Sequence, residues 1–223
     1  MLWSAERAVV TGSSSGVGKA LVEAFTARGA RVAHCSRRGT GGGIVCDVRD
    51  DAQVAAFAER VRHEIGEATI VVNNAGIGRF APLVEMSTQD WDDTMATNLR
   101  GMFLVTRAFL PAMLEARRGA IVNVGSTASR VGRENSVAYA ASKHGVLGFS
   151  RSLLLEVRRS NVRVLTICPG SVDTDFWLAP GIDAIPKGRM RRPEDVAAII
   201  LDAIAIPERA TVTELDIRPT NPG

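Results

Sequence analysis

The chain contains a single tyrosine, in Tyr139-Ala140-Ala141-Ser142-Lys143. A separation of four residues puts a phenol and an ammonium on the same face of a helix. A phenol titrating near pH 10 needs about 4 kcal/mol of help to its ionised form, roughly three pKa units, to exchange protons at neutral pH. A neighbouring cation supplies help of that sign. The pair is therefore a candidate acid/base, although a chance helical neighbourhood has the same spacing.

Thr11-Gly12-Ser13-Ser14-Ser15-Gly16-Val17-Gly18 points to a second kind of chemistry. Glycines at a strand-to-helix turn let the backbone approach a pyrophosphate, whose charge is favoured by free N–H groups at the helix N-terminus. A tight turn by itself also asks for glycine. Ser36, Arg37 and Arg38 then fall where the adenosine ribose of a dinucleotide would lie if this loop holds its pyrophosphate. One hydroxyl and two guanidiniums, with no carboxylate, suit a 2′-phosphate better than a free 2′-hydroxyl. The alternative is a solvated basic turn.

Hydropathy outlines the elements that must position these groups. Short Val- and Ile-rich runs at 8–10, 70–72, 121–124 and 162–167 lack strict alternation, as strands buried on both faces do. Helical patterns separate them. The first carries Val17, Leu21 and Phe25 on one face and stops at Gly29; others span 51–65, 88–116, 137–159 and 193–204. Such alternation predicts an α/β fold of the Rossmann type, a doubly wound parallel sheet with helices on both faces. With 223 residues, 46% of them hydrophobic, and no repeat or long linker, one catalytic domain over 1–223 is expected. One connection is anomalous: residues 36–43, with Gly39, Gly41, Gly42 and Gly43, are too few for the usual helical crossover. The sheet is expected to lack part of its cover there.

Other classes are disfavoured. Twenty-seven basic and 24 acidic residues give a net charge of +3 with no basic block, so no nucleic-acid surface is implied. The most apolar stretch, 196–206, carries Asp202 and is shorter than the roughly 20 residues of a membrane span. Residues 1–7 do not read as a secretion signal, and a cytoplasmic location is expected. Cys35, Cys46 and Cys168 lie in or beside buried strands without metal-ligand spacing, so packing roles and no metal are expected. His34, His63 and His144 fit no catalytic spacing.

The form TGxxxGxG at 11–18 resembles the cofactor loop of the short-chain dehydrogenase/reductase family, and the resemblance extends over residues 5–206. Asp47-Val48 is similar to the family's adenine-contacting pair, and Asn73-Asn74-Ala75-Gly76 to its NNAG motif. Asn123-Val124-Gly125-Ser126 resembles its strand-end serine motif, with Ser126 lying 139 − 126 = 13 positions before Tyr139. Asn98-Leu99 resembles its helix asparagine; Pro169-Gly170 and Val172-x-Thr174 resemble the segment cradling the nicotinamide.

The resemblance implies an oxidoreductase using NADP(H), with NAD(H) the second choice, on a small carbonyl or alcohol. Tyr139 would be the acid/base, Ser126 would orient the substrate oxygen, Lys143 would hold the phenolate and the nicotinamide ribose, and Asn98 would hold a water linking the lysine to solvent. Cofactor contacts would come from Gly12, Ser14, Ser15, Gly16, Val17, Gly18, Ser36, Arg37, Arg38, Asp47, Val48, Asn74, Ala75, Gly76, Pro169, Gly170, Val172 and Thr174, besides Tyr139 and Lys143. Family members associate through the two long helices, which implies a homodimer or homotetramer. The apolar arc of the second, where Leu155 points opposite Val146, also asks for a second partner, either the preceding helix or another subunit. The departures are the short second crossover, a brief stretch between Gly170 and Pro193 where the family places its substrate lid, and an ending at 214–220 without the DGG often seen in acyl-carrier-protein reductases. Reduction of a 3-oxoacyl thioester, and dinucleotide sensing without chemistry, are the alternatives.

Overall fold

Seven parallel strands form one sheet in the computed structural model, which describes residues 1–178, 190–207 and 209–220. They are β1 (Arg7–Thr11), β2 (Arg31–Ser36), β3 (Ile44–Val45), β4 (Ile70–Asn73), β5 (Gly119–Val124), β6 (Val162–Pro169) and β7 (Glu214–Ile217). Their order is β3-β2-β1-β4-β5-β6-β7. Among the described residues six α-helices complete the fold: α1 (Gly16–Ala27), α2 (Asp51–Ile65), α3 (Thr88–Met95), α4 (Gly101–Ala116), α5 (Val137–Val157) and α6 (Pro193–Ala205).

The non-alternating apolar runs are explained by two cores, one on each face. Val9, Val71, Ile121 and Val164 meet Phe57 of α2, Phe109 of α4 and Leu153 of α5. Their strand neighbours Ala8, Val10, Ile70, Val72, Val122 and Leu165 point the other way, onto Leu21 and Phe25 of α1 and Ile200 and Leu201 of α6. Asp50 caps α2 by accepting from the Gln53 N–H at 3.1 Å, and Gly29, at φ +87°, takes the chain out of α1.

Three expectations are refined. The helix read over 88–116 runs its full length but contains a π turn at Ala96–Arg100, centred on Asn98. β7, not among the strands read from the sequence, is a short edge strand in which Glu214 and Asp216 alternate with Leu215 and Ile217; Arg130 and Arg151 hold these carboxylates at 2.6–2.9 Å. The connection at 36–43 contains one 3₁₀ turn, Thr40–Gly42, with Gly39, Gly41 and Gly42 at φ +60 to +80°. β3 is consequently a two-residue edge strand, and Val45 is 67% exposed where cover was expected to be missing. On α5, Val146 is buried and Leu155 is 62% exposed, as their angular positions predict. Among the described residues no helix is long and apolar enough to cross a membrane. Residues 179–189, most of the stretch expected to form the lid, lie outside the described residues.

Candidate active site

A cleft of about 1190 Å³ opens at the C-terminal ends of the strands, where the sheet order reverses between β1 and β4. Open α/β sheets bind ligands at this switch point. Its floor is backbone. Gly12 has φ +69°, and a Cβ there would lie 2.7 Å from Ala75 Cα; at Gly16, φ +54°, it would lie 2.8 Å from Thr174 Cγ2. Thr11 Oγ1 accepts from the N–H groups of Asn74 and Ala75, both at 3.1 Å. Asn74 Nδ2 donates back to the carbonyls of Thr11 (3.0 Å) and Gly12 (3.2 Å). The two glycine-bearing turns are thus clamped together.

Most of the sequence-predicted cofactor residues line this cleft: Gly12, Ser14 to Val17, Ser36 to Arg38, Asp47, Val48, Asn74 to Gly76, Pro169, Gly170, Val172 and Thr174. Gly18 does not. A side chain there would strike the Gly12 carbonyl and come within 2.5 Å of Asn74 Nδ2, so Gly18 lets α1 pack under the loop. Arg37 and Arg38 are exposed on the cleft wall. Asp47 is engaged by Arg49, which donates to both carboxylate oxygens at 2.7–3.0 Å and bridges to Asp93 at 2.7 Å. That guanidinium holds the Asp47 carboxyl below its usual range.

At the other end, Ser126 follows β5 and caps a 3₁₀ turn: its Oγ accepts from Ala128 N–H at 3.1 Å, and its own N–H donates to Ser129 Oγ at 3.2 Å. Tyr139 lies in the first turn of α5, with Lys143 one turn on. Burial pushes the Tyr139 phenol up to about 12, against an opposing effect of the Ser126 hydroxyl. Burial brings the Lys143 ammonium down to about 8. The help expected from the lysine does not dominate here. Lys143 Nζ donates to the Val124 carbonyl at 2.8 Å and stands 5.8 Å from the Tyr139 ring centroid. At neutral pH the site therefore presents a protonated phenol, a hydroxyl and a cation.

Asn98 is buried and does not line the main cleft. Its Oδ1 accepts from Ile77 N–H at 2.8 Å, while Nδ2 donates to the Ile77 carbonyl at 2.9 Å and Ser142 Oγ at 3.0 Å. The amide fixes the strand-end segment after Gly76 to α5. Sequence reasoning missed Phe80 and Phe176, whose rings stand 5.5 and 5.4 Å from that of Tyr139 and line the cleft. Neither lies at a motif position, and proximity to Tyr139 is made only by the fold. Thr11 was within a motif, but nothing in its spacing announced two backbone N–H bonds.

These residues fit a nicotinamide dinucleotide: backbone cradles that a Cβ would fill, cations at one end of the cleft, and a phenol, a hydroxyl and an ammonium at the other. Fold and cleft define a dinucleotide-binding protein of the Rossmann class. Residues 6–179 match the family described as short chain dehydrogenase, and the chain belongs to that family. D-threitol dehydrogenase of Mycolicibacterium smegmatis is 43% identical over 214 residues, covering 86% of this chain and 82% of that protein. The 3-oxoacyl-acyl-carrier-protein reductase of Escherichia coli is 35% identical over 225 residues, covering 92% of both. Among solved structures, an alcohol dehydrogenase of the archaeon Thermococcus sibiricus complexed with 5-hydroxy-NADP has a TM-score of 0.85 at 26% identity, covering 96% of this chain and 97% of that one. The chain is an oxidoreductase acting on an alcohol or carbonyl with a nicotinamide cofactor.

Proposed function

We propose that the protein acts as one catalytic domain that interconverts a ketone or aldehyde and the corresponding alcohol, with NADP(H) preferred to NAD(H). The carrying observation is the polarity of the cleft, with Arg37 and Arg38 at one end and Ser126, Tyr139 and Lys143 at the other. Gly12, Ser14 to Val17 and Asn74 to Gly76 would hold the pyrophosphate region, Arg37 and Arg38 the 2′-phosphate, and Pro169 to Thr174 the nicotinamide. When bound, the cofactor supplies the hydride or takes it back.

In reduction Tyr139 gives its hydroxyl proton to the substrate oxygen, and in oxidation it takes that proton back. Ser126 donates a hydrogen bond to the same oxygen and holds it beside the phenol. Lys143 offsets the negative charge left on Tyr139. Asn98 acts as a positioning residue through Ile77 and Ser142. The similarity to acyl-carrier-protein reductases supports a second reading, reduction of a 3-oxoacyl thioester.

A spectrophotometric screen of NADPH oxidation over ketones, aldehydes, quinones and 3-oxoacyl thioesters, with polyols in the reverse direction, tests both. Turnover confined to the thioesters selects the second reading, and tight binding of NADPH with no turnover leaves a sensor. Tighter binding of NADH than of NADPH overturns the cofactor preference. Exposed Phe103, Leu114 and Leu155 on α4 and α5 support self-association. A light-scattering mass near 23.8 kDa would refute an obligate oligomer.

A further inference from the structure

Cys35 and Cys46 take no part in the chemistry above, yet each directly precedes part of the adenosine end: Cys35 precedes Ser36 to Arg38, and Cys46 precedes Asp47 and Val48. Strand register fixes their relation. Cys35 pairs with Ile44 and Ser36 with Val45, and the Cys46 N–H donates to the Ser36 carbonyl at 3.0 Å. Ile44 and Cys46 are two residues apart and share a face of the sheet, and both join Cys35 in one apolar cluster. Cys35 and Cys46 therefore stand as diagonal neighbours on one face, and each thiol acts on the other, drawing Cys46 down in pKa and helping to hold Cys35 up. Both are buried, but Cys46 lines the cleft and Cys35 does not. A small reagent entering the cleft meets Cys46 first.

Diagonal neighbours on adjacent strands have Cα atoms about 7–8 Å apart, beyond the usual limit of about 6.8 Å for a disulfide. Bridging them therefore asks β3 to move about an ångström toward β2. This is the part of the sheet best able to move, being a two-residue edge strand reached through three left-handed glycines. Such a shift drags Asp47 and Val48 with Cys46 and pulls on Ser36 to Arg38 through Cys35.

We propose that Cys35 and Cys46 form an oxidation site that closes to a disulfide under a peroxide and thereby loosens the adenosine end of the cleft. The Cys46 thiolate attacks the peroxide O–O bond, giving Cys46–SOH and hydroxide. The Cys35 sulfur then attacks the Cys46 sulfur, an S–S bond forms, and the S–O bond breaks to release water. Two electrons pass from the sulfurs to the peroxide, which leaves as two waters carrying the two thiol protons. A dithiol reductant reverses the change. The effect on cofactor affinity rests on the function proposed above; formation of the disulfide does not.

The test treats the whole wild-type protein with hydrogen peroxide, with and without saturating NADPH. Thiols are counted after denaturation, peptides are mapped, and NADPH affinity is measured before oxidation, after it, and after dithiothreitol. Titratable thiols should fall from three to one, leaving Cys168 free and the Cys35 and Cys46 peptides joined. NADPH should slow the reaction. Its Kd should rise by about tenfold or more in the oxidised protein, the effect of losing one charge-assisted contact, and recover on reduction. Cys35→Ser should abolish the cross-link. Persistence of three thiols, a sulfinic acid at Cys46 with Cys35 free, or an unchanged Kd in the disulfide form overturns the proposal. If the reduced protein binds neither NADPH nor NADH, that failure belongs to the proposed function, and the thiol count and peptide map still decide the disulfide.

Discussion

The two ends of the cleft are built differently. Ser126 lies just past the interior strand β5, and Tyr139 and Lys143 sit on the long helix α5, each held by hydrogen bonds or ring contacts. Arg37 and Arg38 sit at the exit of β2, beside a two-residue edge strand and a glycine-rich connection, with their side chains in solvent. Proton transfer needs atoms placed to within a fraction of an ångström, and only the packed centre of the sheet supplies that. The charge recognition proposed for Arg37 and Arg38 would tolerate looser placement, because a flexible guanidinium can follow a phosphate. The rigid end is also the strained one electrostatically, since burial disfavours both the phenolate and the ammonium there.

The largest test of this contrast is Tyr139→Phe. Loss of the proton donor should lower kcat about 10²- to 10⁴-fold while NADPH Kd stays within about twofold. Retention of more than about a tenth of kcat would remove Tyr139 from the acid/base role. At the other end, Arg37→Ala should weaken NADPH binding about 10- to 150-fold and leave NADH nearly unchanged, as calorimetric titration can show. An equal loss for both dinucleotides would mean that Arg37 does not read the 2′-phosphate.

Gly18→Ala probes the packing of α1 under the glycine loop. Its Cβ has no room between the Gly12 carbonyl and Asn74 Nδ2, so overpacking should cost about 1–3 kcal/mol and lower Tm by several degrees. An unchanged Tm would show that α1 can withdraw freely. The smallest effect has the opposite sign. Folding lowers the Lys143 pKa to about 8 from 10.5, so its charge destabilises the native state at pH 7, and that cost fades as pH rises from about 8 to 10.5. Lys143→Met should therefore raise the Tm of the cofactor-free protein at pH 7 by about 2–4 °C, even after losing the Val124 hydrogen bond, with less gain near pH 10. A fall in Tm at pH 7 would show that the hydrogen bond outweighs desolvation.

What the sequence determined by itself was what periodicity and motif spacing encode. Alternation of apolar runs with helical stripes specified the doubly wound sheet, because strands buried on both faces and helices buried on one leave different patterns. Gly29 marked a helix end, and the glycine loop, Ser126, Tyr139 and Lys143 stood out at fixed spacings in identifiable strand and helix contexts. Only the tertiary structure decided what depends on contacts between distant segments. It put a π turn in the predicted helix at Asn98, whose amide bonds Ile77 and Ser142; it paired β7 with β6 and neutralised its carboxylates with Arg130 and Arg151; it turned Gly18 into a packing residue; and it brought Phe80 and Phe176 onto Tyr139. It also made burial the largest influence on the Tyr139 phenol. Spacing shows that a lysine can stand near a tyrosine, but whether its charge or the loss of water governs the phenol depends on burial, which is a property of the assembled fold.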